Sequence, residues 1–197
     1  MSATHPERTW TGPSAPERLA ILRRTRSIAI VGASDKPARA SYFVATYLLS
    51  STTYDVYFVN PVLAAAGKEI LGHRVYASLD DLPVTPDLVE VFRKSSDAPE
   101  VVADAARVGA RTVWLQLGIW NEDAARQAEA AGLTPAYGCR MGICYGCVLP
   151  LREGAVRDLR NGEITTAEDV GDGVLVQTCV SAPAGDCAID QIGRAHV

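Results

Sequence analysis

The chain has 197 residues, 48% hydrophobic and 21% charged, enough for one large or two small globular domains. Its net charge of −4 argues against nucleic acid or an anionic membrane as the main partner, and no apolar run reaches the roughly 18 residues of a membrane-spanning helix. All five cysteines fall between Cys139 and Cys187, so the chain divides into two chemically different parts.

Residues 1–15 are polar, contain prolines and lack an apolar signal core, and are expected to form a flexible N-terminal arm of a cytoplasmic protein. From Pro16 to Arg24 the pattern predicts a short amphipathic helix. Ser27–Val31 is a continuous apolar, β-branched run, the mark of a strand buried on both faces. Three similar runs follow, at Val56–Val59, Leu88–Phe92 and Thr112–Gln116. Between them the sequence predicts helices at Ser41–Leu49 and at Asp97–Val108, the latter opened by an Asp97/Glu100 capping box and closed by Gly109. Asn121 to Gly132 predicts another helix, with Asn121 as cap and acids in the first turn. Strands and helices alternating in this way indicate a doubly wound, parallel α/β sheet.

In such sheets ligands bind outside the carboxyl ends of the strands. Those ends carry Gly32-Ala-Ser-Asp-Lys-Pro37, Asn60-Pro61, Arg93-Lys94 and Gln116-Leu-Gly118. The first of these loops leads into a helix whose N-terminal amides and dipole favour a phosphate, and Lys36, Arg39 and Arg93 add positive charge. The loop has one glycine and not Gly-x-Gly-x-x-Gly, so the motif alone does not distinguish a dinucleotide site from a tight strand-to-helix turn. His73 is placed in a loop, where a structural or solvated role is expected.

Ile30-Val-Gly-Ala-Ser-Asp-Lys-Pro37, Val59-Asn-Pro61, Ile70-Leu-Gly-His-Arg-Val-Tyr76, Val91-Phe-Arg93 and Trp114-Leu-Gln-Leu-Gly-Ile119 resemble the small bacterial CoA-binding proteins of Rossmann type, over about residues 16–133. The resemblance implies a Rossmann-like CoA-binding domain. Gly32, Ala33, Ser34 and Lys36 would approach the CoA phosphates, with Ser41, Asn60, Pro61, Arg93 and Gln116 around the same crevice. It implies CoA or acyl-CoA as ligand and no defined reaction.

Further on, Cys139, Cys144 and Cys147 stand at C-x4-C-x2-C spacing, and Cys179 follows after 31 intervening residues. This is the ligand pattern of plant-type [2Fe–2S] sites, in which four thiolates hold two irons. Structural zinc favours paired C-x2-C knuckles, a Rieske centre needs two histidines, and a disulfide framework fits short secreted chains. Val148–Leu151 and Val174–Val180 read as strands, the second delivering Cys179, with surface loops over Gly154–Gly173. Gly138-Cys-Arg-Met-Gly-Ile-Cys-Tyr-Gly-Cys-Val148 and Val176-Gln-Thr-Cys-Val-Ser-Ala-Pro-Ala-Gly-Asp-Cys187 resemble the ferredoxin domain of bacterial ferredoxin reductases. That resemblance implies a truncated β-grasp [2Fe–2S] segment over residues 134–190, carrying one electron to or from a flavoprotein reductase or other redox acceptor. Cys187 would be a spectator thiol. A binding or electron-transfer protein is expected, not a complete oxidoreductase.

The two resemblances meet awkwardly. The CoA-binding fold needs one more strand after Gly132, and the sequence offers Thr134-Pro-Ala-Tyr-Gly138, with a proline where a central strand needs an N–H. The ferredoxin fold needs a preceding hairpin that nothing supplies. Ile192-Gly-Arg-Ala-His-Val197 resembles a translated sequencing adapter, so residues 191–197 read as a non-native tail. The expectation is an assembly chimera; the alternative is a fusion in which the Rossmann sheet stands in for the missing hairpin.

Overall fold

The computed structural model describes residues 10, 12–116, 119–138, 148–159, 161–169 and 174–189. It forms two compact units, one from Met1–Gly12 with Thr25–Tyr137, the other from Pro13–Arg24 with Gly138–Val197. The first helix, α1 (Ala15–Arg24), belongs to the second unit. Its start is fixed by a reciprocal cap: the Ser14 amide and hydroxyl both donate to the Glu17 carboxylate at 2.7 Å, and the Glu17 amide donates back to the Ser14 hydroxyl at 3.4 Å.

The first unit runs β1 (Ser27–Val31), α2 (Ala40–Ser51), β2 (Asp55–Val59), α3 (Pro61–Ala65), β3 (Glu69–Ile70), β4 (His73–Tyr76), β5 (Leu88–Val91), α4 (Ala98–Arg107), β6 (Thr112–Gln116), α5 (Glu122–Ala130) and β7 (Thr134–Gly138). These strands build a seven-stranded sheet in the order β3-β4-β2-β1-β5-β6-β7. The pairs β1–β2, β1–β5, β2–β4 and β5–β6 are parallel, and the two-residue β3 pairs antiparallel with β4. The apolar runs that predict strands occupy the centre, where every residue of β5 and β6 is buried. One sheet face packs Ala29, Val89, Val91, Val113 and Leu115 against α4 and α5. The face of α4 that meets it carries Ala98, Val101, Val102 and Ala105, spaced three and four apart as one helical stripe requires.

Three local expectations are corrected. Residues 134–138 do form the final strand; β7 lies at the edge of the sheet, where a proline is tolerated, so the first sheet is not cut short. His73 opens β4 instead of lying in a loop, and its ring stands edge-on to Phe58, centroids 6.0 Å apart. Asp97 occupies the cap position of α4 without a side-chain cap bond, because its carboxylate is taken by Arg93 at 3.2 Å and by the Ser96 hydroxyl at 3.0 Å. Asn121, by contrast, caps α5 as expected, accepting from the Ala124 amide at 2.9 Å. No local sequence signal marks α3 or the short β3–β4 hairpin.

The second unit is an antiparallel sheet. Its spine is β8 (Val148–Asp158), which merges the Val148–Leu151 run with the loop expected after it. Along one side β8 pairs first with β10 (Val174–Gln177) and then with β9 (Ile164–Thr166); along the other it pairs with β11 (Ser181–Ile189). Leu151, Val156 and Val176 form its small core, with Ile189 and the partly buried free thiol Cys187 against them. The β-grasp arrangement expected for residues 134–190 is not seen among the described residues. Residues 134–138 go to the first sheet, and the described remainder closes on itself around β8. The strand expected at Val174–Val180 stops at Gln177, so Cys179 falls in a short helical turn, Thr178–Val180.

Candidate functional site

The strand order reverses at β1: β2 lies to one side of it and β5 to the other. At such a switch point the loops leaving neighbouring strands run apart and leave a crevice at their carboxyl ends. Here that crevice is a cavity of about 200 Å³, lined from the predicted set by Gly32, Pro61 and Arg93. Val31, Val59, Ala77, Ser78 and Leu79 complete its floor and one wall, and Asp97, Glu100, Val101 and Asp104 of α4 form the other.

Gly32 sits at the tightest point. Its φ is +84°, and a Cβ on it would lie 2.6 Å from the Phe92 carbonyl oxygen and 2.9 Å from the Phe92 carbonyl carbon. Both the twist of the loop and the approach of the β5 backbone therefore require glycine. The Gly32 amide donates to the Val59 carbonyl at 3.0 Å, and the Phe92 amide donates to the Val31 carbonyl at 2.8 Å, which locks the ends of β1, β2 and β5 together.

Asn60 organises the next two loops with one side chain. Its Oδ1 accepts from the Val62 amide at 2.9 Å and the Leu63 amide at 3.2 Å, starting α3, while its Nδ2 donates to the Ala33 carbonyl at 2.8 Å. Pro61 follows at the first helical position, where its missing N–H costs nothing. In the loop after β1 the Ser34 hydroxyl accepts from the Lys36 amide at 3.2 Å, and Asp35 pairs with Lys68 at 2.9 Å. The hydrogen bond from Lys68 holds the Asp35 carboxyl below its ordinary pKa. Lys36 and Arg39 are exposed just before α2, and Ser41 is buried in its first turn.

Gln116 is the predicted residue that the fold sends elsewhere. Val113 and Leu115 point into the core shared with α4, so Gln116, one residue on, faces the opposite side of the sheet from the α4 wall. There its Nε2 donates to Oε1 of Glu90 at 3.1 Å, both side chains being buried. Glu90 lies between Ile30 and Trp114 in the centre of the sheet. The sequence signal for it is one acid inside the otherwise apolar run Leu88-Val-Glu-Val-Phe92. Sequence reasoning also missed the β4 loop, Ala77 to Leu79, and the acidic side of α4.

Cys139, Cys144 and Cys147 lie outside the described residues. Among the described residues no group of three or more His, Cys, Asp or Glu side chains is placed to hold a metal ion. Nor, among them, is any helix long and apolar enough to cross a membrane.

A family model described as a CoA binding domain matches residues 26–144, which takes in the whole crevice and the edge strand β7. The uncharacterized protein YneT of Bacillus subtilis is 34% identical over 122 residues, 62% of this chain and 87% of that one. A hypothetical protein from Pyrococcus horikoshii OT3 superposes with a TM-score of 0.59 at 37% identity, over 71% of this chain and 92% of its own. A Thermus thermophilus structure, cell-free ID.343, does so with a TM-score of 0.59 at 30% identity, over 64% and 91%. These findings give no support to a ferredoxin domain in residues 134–190. With more than half of its length matched and its switch-point crevice inside the matched span, the chain belongs to the CoA binding domain family.

Proposed function

We propose that the first unit binds coenzyme A or an acyl-CoA in the crevice beside Gly32. The observation that carries this is the Gly32–Phe92 approach, which keeps the β1 loop low and open at the switch point, where a side chain would fill the space. The loop runs into α2, whose N-terminal dipole favours a phosphate and which has Lys36 and Arg39 exposed beside it. Gly32, Ala33, Ser34 and Lys36 then border the phosphates, with Asn60, Pro61 and Arg93 holding the neighbouring loops. Ser41 and Gln116 act from below, as supports of α2 and β6. The acidic side chains of α4 disfavour a second anionic group at that wall, so the uncharged pantetheine arm is the part that passes it.

Titration with CoA and with acetyl-CoA tests this. Ligand at a hundred times its Kd adds about 2.7 kcal/mol to the stability of the unit that binds it, so the first unit's melting transition should rise by several degrees. A flat transition up to millimolar CoA would remove the proposal.

The cysteine spacing carries a second reading for the other unit, a [2Fe–2S] centre exchanging single electrons with a flavoprotein reductase. It rests on the cysteine spacing and the sequence resemblance that goes with it, and CoA binding is the better-supported function. Iron and acid-labile sulfide analysis of anaerobically purified protein decides it: about two of each per chain would support the centre, and none would remove it.

A further inference from the structure

Trp10 stands outside every motif in the sequence, yet it is only 9% exposed. Its indole N–H donates to Oε1 of Glu129 on α5 at 2.7 Å, and its ring packs on Trp120 with centroids 5.4 Å apart. Trp120 in turn meets Tyr137 of β7 edge-on at 5.2 Å. The indole therefore joins a helix, the residue just before that helix's cap, and through it the edge strand. The cap itself, Asn121, reaches further: its Nδ2 donates to the Ser95 carbonyl at 2.8 Å, in the loop between β5 and α4. Gln127 of α5 adds a second tie, donating to the Pro99 carbonyl at 3.2 Å. Ser95 and Pro99 flank Asp97, and Asp97 with Arg93 and Glu100 belongs to the cavity wall.

We propose that Trp10 is a clasp: by holding Trp120 against α5 it fixes Asn121 and Gln127, and through Ser95 and Pro99 it sets the position of the Arg93–Asp97–Glu100 wall of the ligand crevice. Trp10 is a positioning residue in this scheme and touches no ligand. The inference rests on the CoA-binding reading for its effect on affinity, but its structural half stands apart from it. The large buried aromatic is what gives the contact force, since Trp–Trp and Trp–Tyr pairs add to the area they bury a specific edge and face geometry. The carboxylate acceptor adds direction, because a hydrogen bond to a charged group is shorter and stronger than a neutral one.

The test uses the full chain with Trp10→Ala, Trp10→Phe and Glu129→Gln. Amide hydrogen exchange is measured on each protein without ligand, and CoA affinity by calorimetry. Trp10→Ala should speed exchange at Ser95–Asp97 and Ile119–Asn121 while leaving the β1 and β2 amides protected as in the parent. It should also weaken CoA binding by about tenfold, within the range for coupled sites. Trp10→Phe, which keeps a ring on Trp120, should recover most of that loss, and Glu129→Gln should fall between. Unchanged exchange at Ser95–Asp97 in Trp10→Ala overturns the clasp. So does unchanged CoA affinity in a parent that binds. If the parent binds no CoA, the binding proposal fails alone and the exchange result still decides the clasp.

Discussion

The closeness of Gly32 to Phe92 can be measured by pairing two glycine substitutions that differ in one respect. Gly32 and Gly67 both have left-handed backbone, φ +84° and +62°, but a Cβ on Gly67 meets nothing within 4 Å, whereas one on Gly32 would stand 2.6 Å from a backbone carbonyl. Gly67→Ala therefore costs the left-handed strain alone, about 1–2 kcal/mol. Gly32→Ala costs that strain plus the overpacking of a backbone that cannot swing aside as a side chain would, about 1–3 kcal/mol more. The totals, about 1–2 against about 2–5 kcal/mol, are large beside the roughly 5–15 kcal/mol that hold a typical domain. At the size of the first unit they correspond to melting shifts of roughly 3–5 °C per kcal/mol. Circular dichroism melts of the full chain, with the unit's transition identified by its response to CoA, give the comparison. Calorimetry with CoA gives a second readout, since the displaced loop is the one that borders the phosphates. Gly32→Ala should lose at least tenfold in affinity, and Gly67→Ala should stay within about twofold. Equal melting shifts for the two variants, or parental affinity in Gly32→Ala, would refute the close-approach argument.

Other outcomes follow from the same geometry. Asn60→Ala removes both the α3 cap and the tie to Ala33, and should destabilise by about 1–2 kcal/mol in urea; Asn60→Asp keeps the cap acceptor but loses the donor, and should recover only part. Asp35 has its folded pKa depressed by the Lys68 hydrogen bond, so that pair's contribution is present at neutral pH and is lost as pH falls through the folded value. In Lys68→Met the Asp35 titration, followed by carboxyl NMR, should move up to the ordinary carboxylate range. Asp80, paired with Arg107, is likewise held low, and Arg107→Gln should release it; an unmoved midpoint in either variant would mean that the ion pair is absent in solution.

The first unit was legible because its signals are local and agree with one another. Buried central strands need uninterrupted apolar runs, and Ser27–Val31, Leu88–Val91 and Thr112–Gln116 supply them. Asn121 shows its cap in the sequence because the acceptor and the amide it serves are three residues apart. Asp97 showed the same pattern and failed, since a stronger partner, the Arg93 guanidinium, was one turn away. What could not be read were long-range pairings: Glu90 with Gln116, Asn60 with Ala33, Trp10 with Glu129, each separated by 26 residues or more. The second unit departs from the expected β-grasp for a different reason. A cysteine spacing specifies ligands for a metal but not the sheet that carries them, and without the hairpin of a β-grasp the strands found their partners along β8.

Pro135 carries the clearest lesson in how a local rule is overridden. The rule that proline breaks a strand concerns the ladder bond that its nitrogen would make. Along a strand successive N–H groups point to opposite sides, and the Thr134 amide points inward, donating to the Arg111 carbonyl at 2.9 Å. The nitrogen of Pro135 therefore faces outward, and among the described residues β7 has no strand on that side. No ladder bond is lost, and the proline blunts an edge that would otherwise invite another chain. Ala136, fully buried, presents its amide on the inward side again. Pro135→Ala should accordingly change stability by no more than about 1–2 kcal/mol, whereas Ala136→Pro should cost about 3 kcal/mol or more. Urea denaturation of the two variants separates these values, and an Ala136→Pro loss no larger than that of Pro135→Ala would refute the inward placement of the Ala136 amide.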